Sequence, residues 1–281
     1  MENFFKNKLL LYAMDTSFFL TGPYSMRTRC EMIAEAGYSG AYITSSRSPA
    51  RWKEIEELHK VAMLLGLRVD GINAAVWMSG DMATESLAEY RRLMELVPPK
   101  SNLELQLVGD PKLTPVDGVS DQAPDIIREL LAASEKAQHS LALYLHFGSR
   151  VETVAQAVAL CRHVQHPRLK MVFCGFHWFV CKEKDLVADL RAALPFLCAV
   201  NLCGVSKGGN INGYAIQELG QGHMDNFAVL GLLKDAGFQG PVGIQGYSVA
   251  GDPFIALKRS HDAFREMEDR LERHPSWRVA S

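Results

Sequence analysis

One repeated unit constrains this chain more than anything else in it. An apolar strand ends in polar residues, a loop and a glycine-marked turn follow, and a helix leads to the next apolar strand. The unit is clearest between Phe196 and Tyr247. Phe196-Leu-Cys-Ala-Val-Asn-Leu202 reads as a strand carrying Asn201 near its end. Leu219-Gly-Gln-Gly-His-Met-Asp225 reads as the turn before a helix over 226–236, and Val242-Gly-Ile-Gln245 as a second strand ending on Gln245. Short apolar runs of this kind suit strands buried on both faces, and parallel strands need helical crossovers. The same alternation predicts strands at 9–13, 40–44, within 67–77, and at 103–108, 140–146, 169–174, 196–202 and 242–245. Helices are predicted at 26–36, 48–65, 82–96, 124–138, 152–164, 184–193, 226–236 and 254–270.

Capping residues agree with these limits. Ser25 and the pair Asp252-Pro253 open helices, Gly37 and Gly66 close them, and Pro98-Pro99 breaks one. The stretch 109–123 is rich in Asp, Pro and Gly and reads as the longest loop. Eight strands alternating with eight helices, with no break in composition, predict an α/β fold: one (β/α)8 barrel over residues 1–281. The rival, a doubly wound open sheet, usually carries a glycine-rich fingerprint after its first strand, and Met14-Asp-Thr-Ser-Phe18 is not one.

A net charge of −2 leaves no electrostatic footprint for nucleic acid. No run of about 18 apolar residues would cross a membrane. The beginning, Met1 to Tyr12, lacks the pattern of a secretory signal, and six cysteines without a Cys-x-x-Cys pair read as reduced thiols, so a cytoplasmic location is expected.

In a barrel the ligand site lies where the strands end. Side-chain alternation turns Tyr144 and His146 to one side, and does the same for Asn201 with Cys203 and for Gln245 with Tyr247. Asp15, Asn73, Trp77, His177, Trp178 and Lys207 follow other strand ends.

Several segments, in this order, carry a family resemblance. They are Arg29 to Tyr42, Leu141 to Thr153, Val164-Gln-His-Pro-Arg-Leu-Lys170, the Leu219 to Asp225 turn, and Gly237-Phe-Gln-Gly-Pro-Val-Gly-Ile-Gln245. Together they resemble the xylose isomerase-like TIM barrels, which include sugar-phosphate isomerases and epimerases, hydroxypyruvate isomerases and ketose 3-epimerases. The resemblance implies a divalent metal held by a Glu, an Asp, a His and a Glu ending strands 5 to 8. Here those positions hold Tyr144, Cys174, Asn201 and Gln245. Three anions are replaced by neutral side chains, and neither Gln nor Tyr is an effective base at neutral pH. The expectation is therefore no metal and no other cofactor.

By the same resemblance His146, His177 and Lys207 take positions that contact substrate in relatives. This gives His146 and His177 as acid–base candidates, with Tyr144, Asn201, Gln245, Lys207, Trp178, Trp77 and Tyr247 as substrate contacts. Each has a plainer reading: a satisfied core histidine, a solvated loop lysine, or an aromatic serving as core or wall. The leading expectation is an isomerase or epimerase acting on a small carbohydrate, keto-sugar or sugar acid. A carbohydrate-binding pseudoenzyme is one alternative. A zinc enzyme using Cys174, Cys203 and the two histidines is another. The loops 178–184 and 206–217 are candidates for a lid or a dimer contact, and the resemblance implies a homo-oligomer.

Overall fold

Closure of the ring falls to a strand of four residues. In the computed structural model, which describes residues 8–44, 49–109 and 122–278, β1 (Leu11–Met14) is wholly buried. It pairs in parallel with β2 (Gly40–Thr44) on one side and with the last barrel strand, β10 (Val242–Ile244), on the other. Around the ring lie β3 (Arg68–Trp77), β4 (Asn102–Val108), β5 (Ser140–Tyr144), β6 (Leu169–Cys174) and β7 (Leu197–Leu202), in the order β1-β10-β7-β6-β5-β4-β3-β2. Every pair in the ring is parallel, so all eight strands end at one rim. The chain is a single closed (β/α)8 barrel, as the alternation predicts.

The crossovers are α1 (Met26–Glu35), α2 (Pro49–Leu64), α3 (Met82–Leu96), α4 (Ala123–Ala133), α5 (Val154–Val164), α7 (Leu186–Ala193), α8 (Asn226–Asp235) and α9 (Pro253–Arg273). The caps expected at Ser25 and Asp252 form, and Asp225 supplies a further one. Ser25 Oγ accepts from the Thr28 N–H at 3.1 Å, Asp225 from Ala228 at 2.9 Å, and Asp252 from Phe254 at 2.9 Å with Pro253 following. Thr153 and Gln156 form a capping box at the start of α5. Among the described residues, no helix is long and apolar enough to cross a membrane.

The structure corrects the expected elements at three places. Strand β5 ends at Tyr144, and His146 lies in the loop beyond it. The segment after β6 is not loop throughout but starts with a short helix, α6 (Gly175–Val180), which carries His177 and Trp178. The stretch 206–217 forms most of an antiparallel hairpin of β8 (Gly204–Ile211) and β9 (Tyr214–Gln217). Its turn uses Asn212 and Gly213, both with positive φ, a pairing suited to a two-residue hairpin turn. The hairpin is tied down: Asn212 Nδ2 donates to the Val180 carbonyl at 2.6 Å, and Tyr214 meets Phe179 edge to face. The expected helix opener Ser48, most of the 109–123 loop and the first seven residues lie outside the described residues.

One close backbone approach in the ring is at Gly243 on β10. A Cβ there would run into the Tyr12 ring and Asn201 Oδ1. Both are buried, so neither has room to yield. Gly243→Ala is expected to destabilise the protein by about 1–3 kcal/mol, the usual cost of overpacking, read as a lower urea midpoint with an unchanged m-value.

Candidate active site

The C-terminal rim encloses a cavity of about 290 Å³. Its polar wall comes from strand ends: Thr16 after β1, Thr44 on β2, Asn73 on β3, Gln106 on β4, Tyr144 on β5 and Gln245 after β10. His146 and His177 join them from just beyond β5 and β6. The apolar wall comes from Met14, Phe19, Phe176 and Tyr247, with Ile211 and Ile216 supplied by the hairpin.

The two histidines form the most defined chemical arrangement in this cavity. Their ring centroids lie 4.1 Å apart. Both rings hydrogen-bond to the main chain of Phe147. His146 Nδ1 lies 2.7 Å from the Phe147 carbonyl, which can only accept, so this nitrogen carries the proton. The Phe147 N–H donates to His177 Nδ1 at 3.2 Å, so that nitrogen is bare. One residue's main chain thereby sets opposite tautomers: His146 has its lone pair on Nε2, and His177 carries N–H on Nε2. Burial pulls both pKa values down; the Phe147 bond partly offsets this at His146, while His177 falls well below the ordinary 6.5, with nearby His146 adding to the effect. Both rings are neutral at pH 7.

The loop that presents His146 is well fastened. The His146 N–H donates to the Val151 carbonyl at 3.0 Å, and the Ser149 N–H to the His146 carbonyl at 3.0 Å. Glu152 accepts from the Gly148 N–H at 2.5 Å.

Below the cavity the barrel interior holds a buried carboxyl group. Glu104 is 2% exposed and accepts from the Tyr42 hydroxyl at 2.5 Å. Burial pushes its pKa up to about 7, against the opposing pull of Tyr42, Asn73 and Asn201. Tyr12 stacks on Tyr42 and its hydroxyl donates to Asn201 Oδ1. Sequence reading missed Glu104, although the segment Leu103-Glu-Leu-Gln-Leu107 carried the signal: a charged residue facing inward on a strand buried on both faces. It also missed Thr16, Tyr42, Gln106 and the hairpin isoleucines.

Of the nine residues singled out in the sequence, five meet at the cavity: Tyr144, His146, His177, Gln245 and Tyr247. Asn201 does not line it but lies beneath, fully buried. The other three are corrections. Trp77 ends β3 40% exposed and outside the cavity wall. Trp178 turns toward α7, where its indole N–H donates to Asp189 at 2.9 Å. Lys207 is exposed on β8, opposite Tyr214 in the hairpin ladder. Asp15 is held in structure: it accepts from the Thr44 N–H at 2.9 Å and pairs with Arg51.

A family model described as xylose isomerase-like TIM barrel matches residues 30–267. The chain belongs to the xylose isomerase-like TIM barrel family. Similar solved structures include an E. coli 3-keto-D-glucoside 4-epimerase in its apo form, 18% identical, with a TM-score of 0.71 over 92% of this chain and 100% of that one. An IolI protein with a bound zinc atom is 17% identical, TM-score 0.77, over 93% and 99%. A D-psicose 3-epimerase with D-tagatose from Clostridium cellulolyticum H10 is 16% identical, TM-score 0.72, over 94% and 99%. At these identities the likeness is one of fold. No curated protein sequence matches the chain.

The resemblance to this xylose isomerase-like family implies a divalent cation, and the donors at its four positions do not fit one. Tyr144 donates its hydroxyl proton to Cys174 Sγ, and the Cys174 thiol donates to Gln245 Oε1, each at 3.6 Å. Burial pushes the Cys174 thiol up to about 11, so it is no thiolate at neutral pH. Asn201 Oδ1 is occupied by Tyr12. This chain of neutral groups brings no carboxylate, whereas hard divalent cations are held by charged oxygen ligands. The zinc alternative fares no better: among the described residues no three His, Cys, Asp or Glu side chains gather as a metal cluster, Cys174 and Cys203 with the histidines included.

Glu104 gives a test of this interior. Its folded pKa of about 7 lies above the ordinary 4.5, so between these values the folded state holds the proton more tightly than the unfolded state. Stability therefore falls as pH rises from 4.5 to 7, by on the order of 3 kcal/mol from this group. Urea unfolding of wild type and Glu104→Gln at pH 5 and 7.5 measures the slope. The variant is expected to lose most of that decline, and equal slopes would refute the assignment.

Proposed function

We propose that the chain is an isomerase or epimerase acting on a small carbohydrate bearing a carbonyl group, and that it works without the metal common to its relatives. The observation that carries this reading is the pair of opposed histidine tautomers in one cavity, both fixed by the Phe147 main chain. Adjacent to a carbonyl, a C–H bond is acidic enough for a positioned base. His146 Nε2 takes that proton, and the electron pair moves through the new C=C bond onto the carbonyl oxygen. His177 donates its Nε2 proton to that oxygen, the role a neutral imidazole suits when its pKa is depressed. The product of this half is an enediol. Return of the His146 proton to the neighbouring carbon, with the other enediol hydroxyl giving its proton to His177, gives the isomer. A solvent proton added to the opposite face, with the O–H proton going back to His177 and the His146 proton lost to water, gives the epimer.

Thr16, Asn73, Gln106 and Gln245 offer the neutral donors and acceptors that hold sugar hydroxyls. A keto-glucoside epimerase and a ketose epimerase among the structural relatives support a carbohydrate ligand. Tyr144, Cys174 and Gln245 fill the place where a relative's cation would be held, with hydrogen bonds in place of ligation.

The test is turnover of a panel of ketoses and keto-glycosides, followed as proton exchange with deuterated water. His146→Ala and His177→Ala are each expected to lower kcat about 10²–10⁴-fold, the usual worth of a general acid or base. Dialysis against a chelator should leave the rate unchanged. Restoration of a lost rate by manganese would overturn the metal-free part. Sugar binding without exchange would make the protein a carbohydrate-binding pseudoenzyme.

The pH profile has a definite sign. His146 must be neutral to accept a proton, and burial lowers its pKa below 6.5. The rate kcat/KM should therefore be flat at pH 7 and above and fall only on acidification below about 6.5. A fall beginning above pH 7 would count against His146 as the base.

A further inference from the structure

The cavity inverts the usual order of surface and interior. Most of its polar members are buried, with Asn73, Tyr144, His177 and Gln245 all below 9% exposed. Its aromatic members at the mouth are open, with Phe19 44% and Tyr247 40% exposed. A single exposed apolar side chain needs no explanation, but two aromatic rings joined at the lip of a cavity present a patch. Phe19 and Tyr247 meet edge to face with centroids 5.9 Å apart. The arrangement is built rather than incidental. The Gly246 N–H donates to Thr16 Oγ1 at 3.2 Å, and Gly246 packs so closely on Ser17 that a Cβ would collide there. That approach fastens the segment before Tyr247 to the turn that carries Phe19. Leu20, beside Phe19, is more exposed still, and Ile211 and Ile216 bring apolar surface from the hairpin.

Charge is missing from the same wall. Among the described residues, no Asp, Glu, Lys or Arg lines the cavity. Arg51 lies over the Phe19 ring and is engaged by Asp15 and Glu54. Lys207 is not part of the wall. Both histidines are held neutral. A phosphate or carboxylate entering here would lose hydration with no cation among the described lining residues to replace it.

Resting on the sugar-processing reading above, we infer that the substrate is an uncharged glycoside, or a keto derivative of one, whose aglycone is apolar. The sugar ring occupies the buried polar floor. The aglycone lies at the mouth against Phe19 and Tyr247, covering the rings the free protein leaves open. Aromatic faces suit a flat apolar group and also the C–H face of a sugar, so the two parts are separated by comparing matched ligands.

The experiment is calorimetric titration of the full chain with methyl and phenyl glycosides of D-glucose, D-galactose and D-mannose, with glucose 6-phosphate alongside. For the sugar that binds, the phenyl glycoside should bind about tenfold more tightly than the methyl glycoside, the worth of modest apolar burial. Phe19→Ala and Tyr247→Ala should each reduce that ratio to within about twofold. Tyr247→Phe should keep it, which separates loss of the ring from loss of the fold; thermal melts of each variant supply the second check. Glucose 6-phosphate should bind more weakly than either glycoside. Equal binding of methyl and phenyl glycosides, a phenyl preference that survives both alanine variants, or tightest binding of the phosphate would overturn the inference and leave the sugar reading standing. Absence of binding by every sugar in the panel, together with absence of exchange on the ketoses, would overturn both.

Discussion

Ring closure through β1 is the constraint on which the rest of this molecule depends. A parallel strand pair has no tight turn to hold it, so its register comes from what packs on either side. Here four buried residues carry two ladders at once. The bonds across the interior reinforce them: Tyr12 on β1 reaches Asn201 on β7, and Tyr42 on β2 reaches Glu104 on β4. These groups link strands that are not neighbours, so they resist the flattening that a ring of strands could otherwise undergo. With the ring fixed, every strand delivers its last polar residue to the same rim, and the cavity follows from topology before any specific chemistry is chosen.

What is chosen at that rim departs from the arrangement the family resemblance implies. Of the four strand-end positions, Tyr144, Cys174 and Gln245 are neutral groups bonded in sequence, and Asn201 is held by Tyr12. The residue types fit one another rather than a cation. The carboxyl of Glu104 sits a layer lower and faces Tyr42. The two histidines proposed to move protons lie on segments beyond the strands. Such segments can change while the barrel does not, which is how one fold hosts several chemistries.

How much of this was legible depended on whether a feature was local. Strand and helix limits were, because period and caps are properties of neighbours in sequence: Ser25, Asp225 and Asp252 cap the helices they announce. Tyr144, His146, His177, Gln245 and Tyr247 were found because a strand end points to a rim. The hairpin was not found, since its glycines and Lys207 read as an open loop and its pairing is set by contact with α6. Trp178 and Lys207 were misplaced for the same reason. Each follows a strand end, but the element that follows turns its side chain elsewhere. The pairing of Glu104 with Tyr42 needed the third dimension, because a carboxyl on β4 and a phenol on β2 are 62 residues apart.

The hold on the histidine pair has an evolutionary corollary. Both bonds use the main chain of Phe147, so its side-chain identity is irrelevant to the tautomers; any residue except proline would supply the same N–H and carbonyl. The setting of the two tautomers is stored in the path of the loop, not in a letter of the sequence. That path depends on Gly148, whose φ of 77° strains any other side chain, and on the Val151 carbonyl that receives the His146 N–H. A saturation screen of this loop should thus find position 147 permissive and Gly148 restrictive, an inverse of what proximity to the two rings would suggest.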